Sequence, residues 1–309
     1  MNEVFKKIIE DICYDLSINY KFLSKDWIIM LEKNENRKFI SGFKFDLNSH
    51  ALGNVLDDKY ATYEVLKSID VPVIEHNIVY SPSNKNNYAI DCNNFDYLEQ
   101  LFYKYNKDVV LKINGGTCGA QVIHLTNKED LRKQYEMLIK RYHSLSLCPF
   151  YNIENEYRAI VLNGKVELLY KKIRAVVIGN GKSTIKDLLQ NFNPQYFKNY
   201  NEENSEFVLK DGEVYEYDWR YNLSNGAKVS FEILDEDRKN ISELAEKISN
   251  KIGVNFGSID IIKTIDKKLF TMEINSGVMT NNFIDQVEGG YEIAKNIYKK
   301  AIKALMDEE

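Results

Sequence analysis

Asp260, Glu273 and Asn275 sit inside runs that are otherwise largely apolar: residues 256–262 read F-G-S-I-D-I-I and residues 269–275 read L-F-T-M-E-I-N. A strand turns alternate side chains to opposite faces, so Glu273 and Asn275 share one face and Met272 and Ile274 the other. If the two runs pair, Asp260 joins Glu273 and Asn275. Oxygen-bearing groups amid apolar strand residues are costly unless they meet a cation or hydrogen-bond donors. Two carboxylates and an amide oxygen suit Mg2+, a hard cation usually shared with substrate phosphates. The edge of a solvated sheet is the alternative, and spacing alone leaves both open.

A second set is cationic. Residues 109–113, V-V-L-K-I, place Lys112 inside an apolar strand, where a charge needs an anion. The run Asn114-Gly115-Gly116-Thr117-Cys118-Gly119 follows directly, and the N–H groups of such a loop can meet phosphate oxygens. A plain tight turn is the competing reading. The GxxxxGK[ST] pattern is absent, since Val176 stands where Gly181-Lys182-Ser183 would need an earlier glycine. Glu156 and Arg158 alternate on one strand face, as do Arg220 and Asn222, and each pair is equally readable as an ordinary contact on a solvated face.

These residues need strands and helices to hold them. Helices are expected over 4–17, 59–69, 95–105, from Asn127 onward with Asp130 completing an approximate capping box, over 239–251 and over 291–306. Strands are expected near 27–31, 38–45, 74–80, 109–113, 121–125, 157–162, 166–170, 255–262 and 268–274. Asn163-Gly164 marks a hairpin, because both residues accept positive φ. Residues 148–151 read as an extended link, and the polar stretch 191–212 as a long excursion. Helices alternate with strands that also form hairpins, which favours α+β lobes over a purely parallel sheet.

The chain of 309 residues carries 44% hydrophobic and 28% charged residues, the profile of an ordered globular protein. A formal net charge of -5 argues against a nucleic-acid partner. Cys13, Cys92, Cys118 and Cys148 form no CxxC pair, so a structural zinc or iron–sulfur site is not expected. Neither a signal segment nor a long apolar run is evident, which makes a cytoplasmic protein with no membrane partner the expectation.

In order and together, these segments resemble the ATP-grasp superfamily. The resemblance covers roughly residues 46 to 305 and is nearest to the glutathione synthetase, cyanophycin synthetase and RimK-like ligase branch. It rests on Asp58-Lys59 before a helix and Val71-Pro72, on Val110-Leu111-Lys112 with its glycine loop, and on Glu156-Tyr157-Arg158. It rests further on 222–227 (N-L-S-N-G-A) and on Asp260 with 272–277 (M-E-I-N-S-G). The resemblance implies an α+β ATP-grasp fold. Residues 1–56 would form a short substrate-facing region, 57–145 a small lobe with the glycine loop, and 146–309 a large lobe with the hinge and metal site.

The resemblance also implies roles. Lys59 and Lys112 would touch the ATP phosphates, under a loop including Gly115, Gly116, Thr117 and Gly119. Backbone groups of Cys148, Pro149 and Phe150 would read adenine, and Glu156 would accept a ribose hydroxyl. Asp260, Glu273 and Asn275 would hold Mg2+. Arg220 would steady the transferring phosphoryl group, with Arg158, Arg174, Asn222 and Ser276 as further phosphate or acceptor contacts. The implied activity is ATP-dependent joining of a small-molecule or peptide acid to an amine through an acyl phosphate, in a chain that can form a homo-oligomer. Two departures stand out: Lys112 is followed by Ile113 where proline is common, and Pro149 stands near the usual acidic start of the hinge. A small-molecule kinase and a noncatalytic nucleotide-binding subunit are the rival readings.

Overall fold

The computed structural model describes residues 2–83, 91–116, 121–192 and 205–307. The chain begins with α1 (Glu3–Leu16), whose cap residue Asn2 accepts the Val4 N–H at 2.7 Å. An antiparallel meander follows: β1 (Asn19–Leu23), β2 (Ile28–Lys33), β3 (Asn36–Ser41) and β4 (Lys44–Phe45). The helix and β2 match the expectation, the strand expected over 38–45 is split into β3 and β4 by a turn at Gly42, and the largely exposed β1 was not expected. Two helices, α2 (His50–Leu56) and α3 (Lys59–Ser68), lead out of this region.

A second sheet has the order β5-β8-β6-β7, built from β5 (Asn77–Tyr80), β6 (Val109–Ile113), β7 (Ile123–Leu125) and β8 (Ser144–Pro149). Helices α4 (Phe95–Lys104) and α5 (Lys128–Ile139) cover it, and Leu98, Phe102, Leu131 and Leu138 join Val109, Leu111, Leu145 and Leu147 in one core. The expected link at 148–151 is thus corrected: its first two residues end a central strand paired on both sides. Pro149 fits there because it closes the strand, where a missing N–H costs little. β8 also runs across residues 145 and 146, so this sheet extends to Pro149.

The third sheet has the order β13-β10-β9-β14-β15. Its strands are β9 (Ile153–Leu162), β10 (Lys165–Ile173), β13 (Lys228–Ser230), β14 (Phe256–Thr264) and β15 (Leu269–Asn275). Asn163 (φ 46°) and Gly164 (φ 79°) turn the β9–β10 hairpin as the dipeptide predicts. Between β10 and β13, a two-stranded ladder of β11 (Val176–Ile178) and β12 (Val214–Glu216) forms a small core with α6 (Ile185–Phe192). Within the expected excursion at 191–212, residues 193–204 lie outside the described residues.

Alternation along β9 and β14 divides the third sheet. Tyr157, Ala159, Val161, Ile259 and Ile261 pack under α7 (Asp235–Ile252), together with Leu56 and Leu66 of α2 and α3. On the opposite face, Ile160, Leu162 and Phe256 join α1, the meander and the closing helix α9 (Gly290–Leu305), which follows the short α8 (Asn281–Gln286). Glu156, Arg158, Ser258 and Asp260 are in phase with that second face. The residues able to do chemistry therefore lie where the sheet runs out from under the second core and into a cavity.

Candidate functional site

A cavity of about 700 Å³ opens between the three sheets. The small sheet and α3 contribute Lys112, Cys148, Pro149, Phe150 and Lys59. The large sheet contributes Glu156, Arg158, Tyr170, Lys172, Asp260, Glu273 and Asn275, and the meander contributes Trp27, Phe43 and Lys44. Trp219, Arg220 and Asn222 close another side.

The floor is a buried ionic network. Arg158 donates from Nε and Nη2 to the two oxygens of Asp260 at 2.7 and 2.6 Å. Lys172 donates to Glu156 at 2.5 Å and to Asp260 at 3.2 Å. Burial pushes the Asp260 carboxyl up, but Arg158 and then Lys172 outweigh it and hold the group at about 2. Burial dominates at Glu156, which is raised although Lys172 opposes the shift. Two cations and two carboxylates thus neutralise one another, the condition for tolerating buried charge. Glu156 meets a lysine here rather than facing the cavity as a free acceptor. Lys172 was not singled out from sequence; its alternation with Tyr170 on β10 was the available signal.

β14 and β15 pair as expected, with Asp260 opposite Glu273 and Ser258 opposite Asn275. The ladder slips between Asp260 and Ile261, leaving Met272 as the extra residue of a bulge. Met272 consequently lines the cavity as well, which corrects its expected place on the far face with Ile274. Among the described residues Glu273 has no hydrogen-bond or ion-pair partner, and none carries a ready cluster of three or more His, Cys, Asp or Glu side chains for a metal. The donor chemistry nevertheless fits a hard cation: Glu273 offers carboxylate oxygens with no ion-pair partner among the described residues, Asn275 adds an amide oxygen, and Asp260 stands opposite Glu273.

On the other side, Lys59 donates to the Gly116 carbonyl and, at 3.4 Å, to that of Asn114. Asn114 in turn accepts the Tyr60 N–H at 3.1 Å, tying the start of α3 to the glycine turn. Burial lowers the Lys59 pKa against the opposing charge of Glu273. Lys112 is buried without an ion-pair partner among the described residues. Gly116 reaches the cavity and Gly115 does not, while Thr117 and Gly119 lie outside the described residues. Just past β8, Phe150 donates its N–H to the Asp108 carbonyl at 3.0 Å, and Pro149 has no N–H to donate. Phe150 stacks on His124 with ring centres 3.9 Å apart.

Arg220 is oriented by Asp218 through Nε and Nη2 at 2.8 and 3.0 Å. Asp218 was not singled out from sequence, although its place two residues before Arg220 lets one turn hold both. Asn222 accepts the Ser224 N–H at 2.9 Å and so caps a short 3-10 turn at Leu223–Asn225. Arg174 lies outside the cavity lining: it donates to the Ile153 carbonyl at 2.9 Å and to Glu216 at 3.1 Å, with its guanidinium over the Tyr221 ring.

Residues 209–301 match the family model described as the RimK-like ATP-grasp domain. A cyanophycin synthetase of Geminocystis herdmanii is 23% identical over 66% of this chain and 25% of its own length. A bifunctional glutathione biosynthesis protein of Lactiplantibacillus plantarum is 25% identical over 50% of this chain and 19% of its own. The chain therefore spans a quarter or less of these curated relatives. A bifunctional glutathione synthetase from Pasteurella multocida superposes with a TM-score of 0.55 at 15% identity, over 97% of this chain and 44% of that one. D-alanine–D-alanine ligase from Bacillus anthracis gives 0.53 at 13% identity, over 82% and 67%. The fold is the ATP-grasp fold, and residues 209–301 carry the likeness to the RimK-like domain.

Proposed function

We propose that this ATP-grasp protein is an ATP-dependent ligase that joins a carboxylic acid to an amine through an acyl phosphate, with an amino acid or short peptide among its substrates. The observation that carries this reading is the meeting, in one cavity, of Lys59 and Lys112 with Glu273, Asn275 and Asp260. Lysines there suit the charge of a triphosphate. Oxygen donors across from them suit the cation that travels with it. The relatives named as synthetases and ligases support the same class of chemistry.

In this reading, an oxygen of the substrate carboxylate attacks the γ-phosphorus of ATP. The bond from that phosphorus to the β–γ bridging oxygen breaks, and ADP leaves with the electron pair. The amine nitrogen then attacks the acyl carbon, the carbon–oxygen bond to phosphate breaks, and the amine proton is lost. Lys112 and Lys59 offset charge on the phosphate oxygens, and Asp218 holds Arg220 in one orientation toward the same cavity. Glu273, Asn275 and Asp260 would hold Mg2+, which supplies further neutralisation of the phosphates when bound. Cys148, Pro149 and Phe150 offer the nucleotide base an apolar wall. No side-chain nucleophile is required.

ADP release from a panel of amino acids and peptides, with mass analysis of each product, tests the reading. Release that needs both an acid and an amine and yields an amide supports it. A phosphorylated hydroxyl product would identify a kinase instead. ATP binding without turnover across the panel would identify a nucleotide-binding subunit.

A further inference from the structure

The charged middle of the cavity is flanked by the hinge on one side and, on another, by an apolar wall from the N-terminal meander. That wall is clipped to the strand bearing the oxygen donors. Val278 donates its N–H to the Phe43 carbonyl at 3.2 Å, and Lys44 bridges to Gly277, two residues beyond Asn275. Trp27 is held from below. The Gly42 N–H donates to its carbonyl at 2.8 Å, and a Cβ at Gly42 would stand 2.9 Å from its indole ring. With φ at +60°, Gly42 is also in the region that favours glycine. The meander thus carries a residue that lets an indole lie flat against it.

Trp27 is 56% exposed and Met279 39% exposed, yet both line the cavity beside the half-buried Phe43. Large apolar side chains that stay uncovered on a concave wall mark a place where a ligand is buried. Ser276 supplies a second sign. Its residue is only 4% exposed, and its hydroxyl has no hydrogen-bond partner among the described residues, although it lines the same cavity. A buried hydroxyl left unmatched is costly unless a ligand group completes it.

We infer that Trp27, with Phe43 and Met279, forms a specificity subsite for the large apolar side chain of the amino acid or peptide substrate, whose polar backbone meets Ser276. This rests on the ligase reading for the substrate class, but the subsite itself is a binding property and can be read without turnover. Trp27 and Trp219 are the two tryptophans of the chain, so Trp219→Phe leaves Trp27 as sole reporter.

The test titrates that variant, with Mg2+ and a non-hydrolysable ATP analogue present, with leucine, phenylalanine and glycine, each free and as a dipeptide with glycine. Trp27 emission is expected to change saturably with the leucine and phenylalanine ligands, and glycine alone to bind about ten-fold or more weakly. By calorimetry, Trp27→Ala should lower the apolar ligands to the affinity of glycine while nucleotide affinity stays constant; Trp27→Phe should keep most of the preference. Absence of saturable binding, or a preference that survives Trp27→Ala, overturns the subsite. The two readings separate cleanly. Apolar binding without ADP release from any acid–amine pair would sink the ligase and leave the subsite. Ligation indifferent to Trp27→Ala would do the reverse.

Discussion

At the level of single side chains, charge is spread unevenly over the cavity. Asp260 is ionised because Arg158 and Lys172 compensate for its burial, whereas Glu273 on the facing strand meets no described cation within ion-pair distance. Glu273→Gln removes one negative charge and keeps the shape. Turnover is therefore expected to fall by about 100-fold or more, with an unchanged circular dichroism spectrum. Turnover near that of the parent would remove Glu273 from the site. The acidic strand pair was legible because polar residues in apolar runs of period two announce both their face and their cost. Lys172 was not, since its partners Glu156 and Asp260 stand 16 and 88 residues away. Only the folded sheet brings the three together.

Among the elements, β8 ties the small sheet together, and one of its residues reaches a buried histidine. His76, just before β5, meets the Ser146 hydroxyl through Nδ1 at 2.7 Å. Burial first, then the charges of Lys112 and Lys59, push its pKa well below 6.5. Below pH 6.5 the unfolded chain takes up a proton that the folded chain refuses. Stability should accordingly fall as pH drops below that value, by up to about 1.4 kcal/mol per pH unit from this residue. Urea unfolding across pH 5 to 7.5 measures the slope, and His76→Gln should flatten it; an equal slope in the variant would mean that another group titrates. The β9–β10 hairpin was readable from Asn163-Gly164, because the turn chemistry is local. β8 was misread because Pro149 signals a break, and its two sheet partners come from 109–113 and 77–80.

For the molecule as a whole, the N-terminal region is part of a shared core rather than an appended piece. Phe5 of α1 packs against Phe43 and Phe45 of the meander and against Tyr298 of α9, with ring centres 4.9, 6.5 and 5.0 Å away. Phe5→Ala should cost about 3–5 kcal/mol and shift the loss of helix and the exposure of Trp27 together. Separate transitions would show the meander unfolding alone. The lobed α+β architecture followed from the alternation of elements, but contacts between residues 5 and 298 leave no local trace in sequence. This core also shapes one wall of the cavity, since Phe43 packs on Phe5 and lines the cavity together with Trp27. The most direct test of ATP-driven acyl activation follows the carboxylate oxygen itself. With an acid labelled with oxygen-18 in its carboxylate and the amine it is joined to, each turnover should deliver one labelled oxygen to the released phosphate. Unlabelled phosphate would contradict an acyl phosphate and, with it, the proposed ligase.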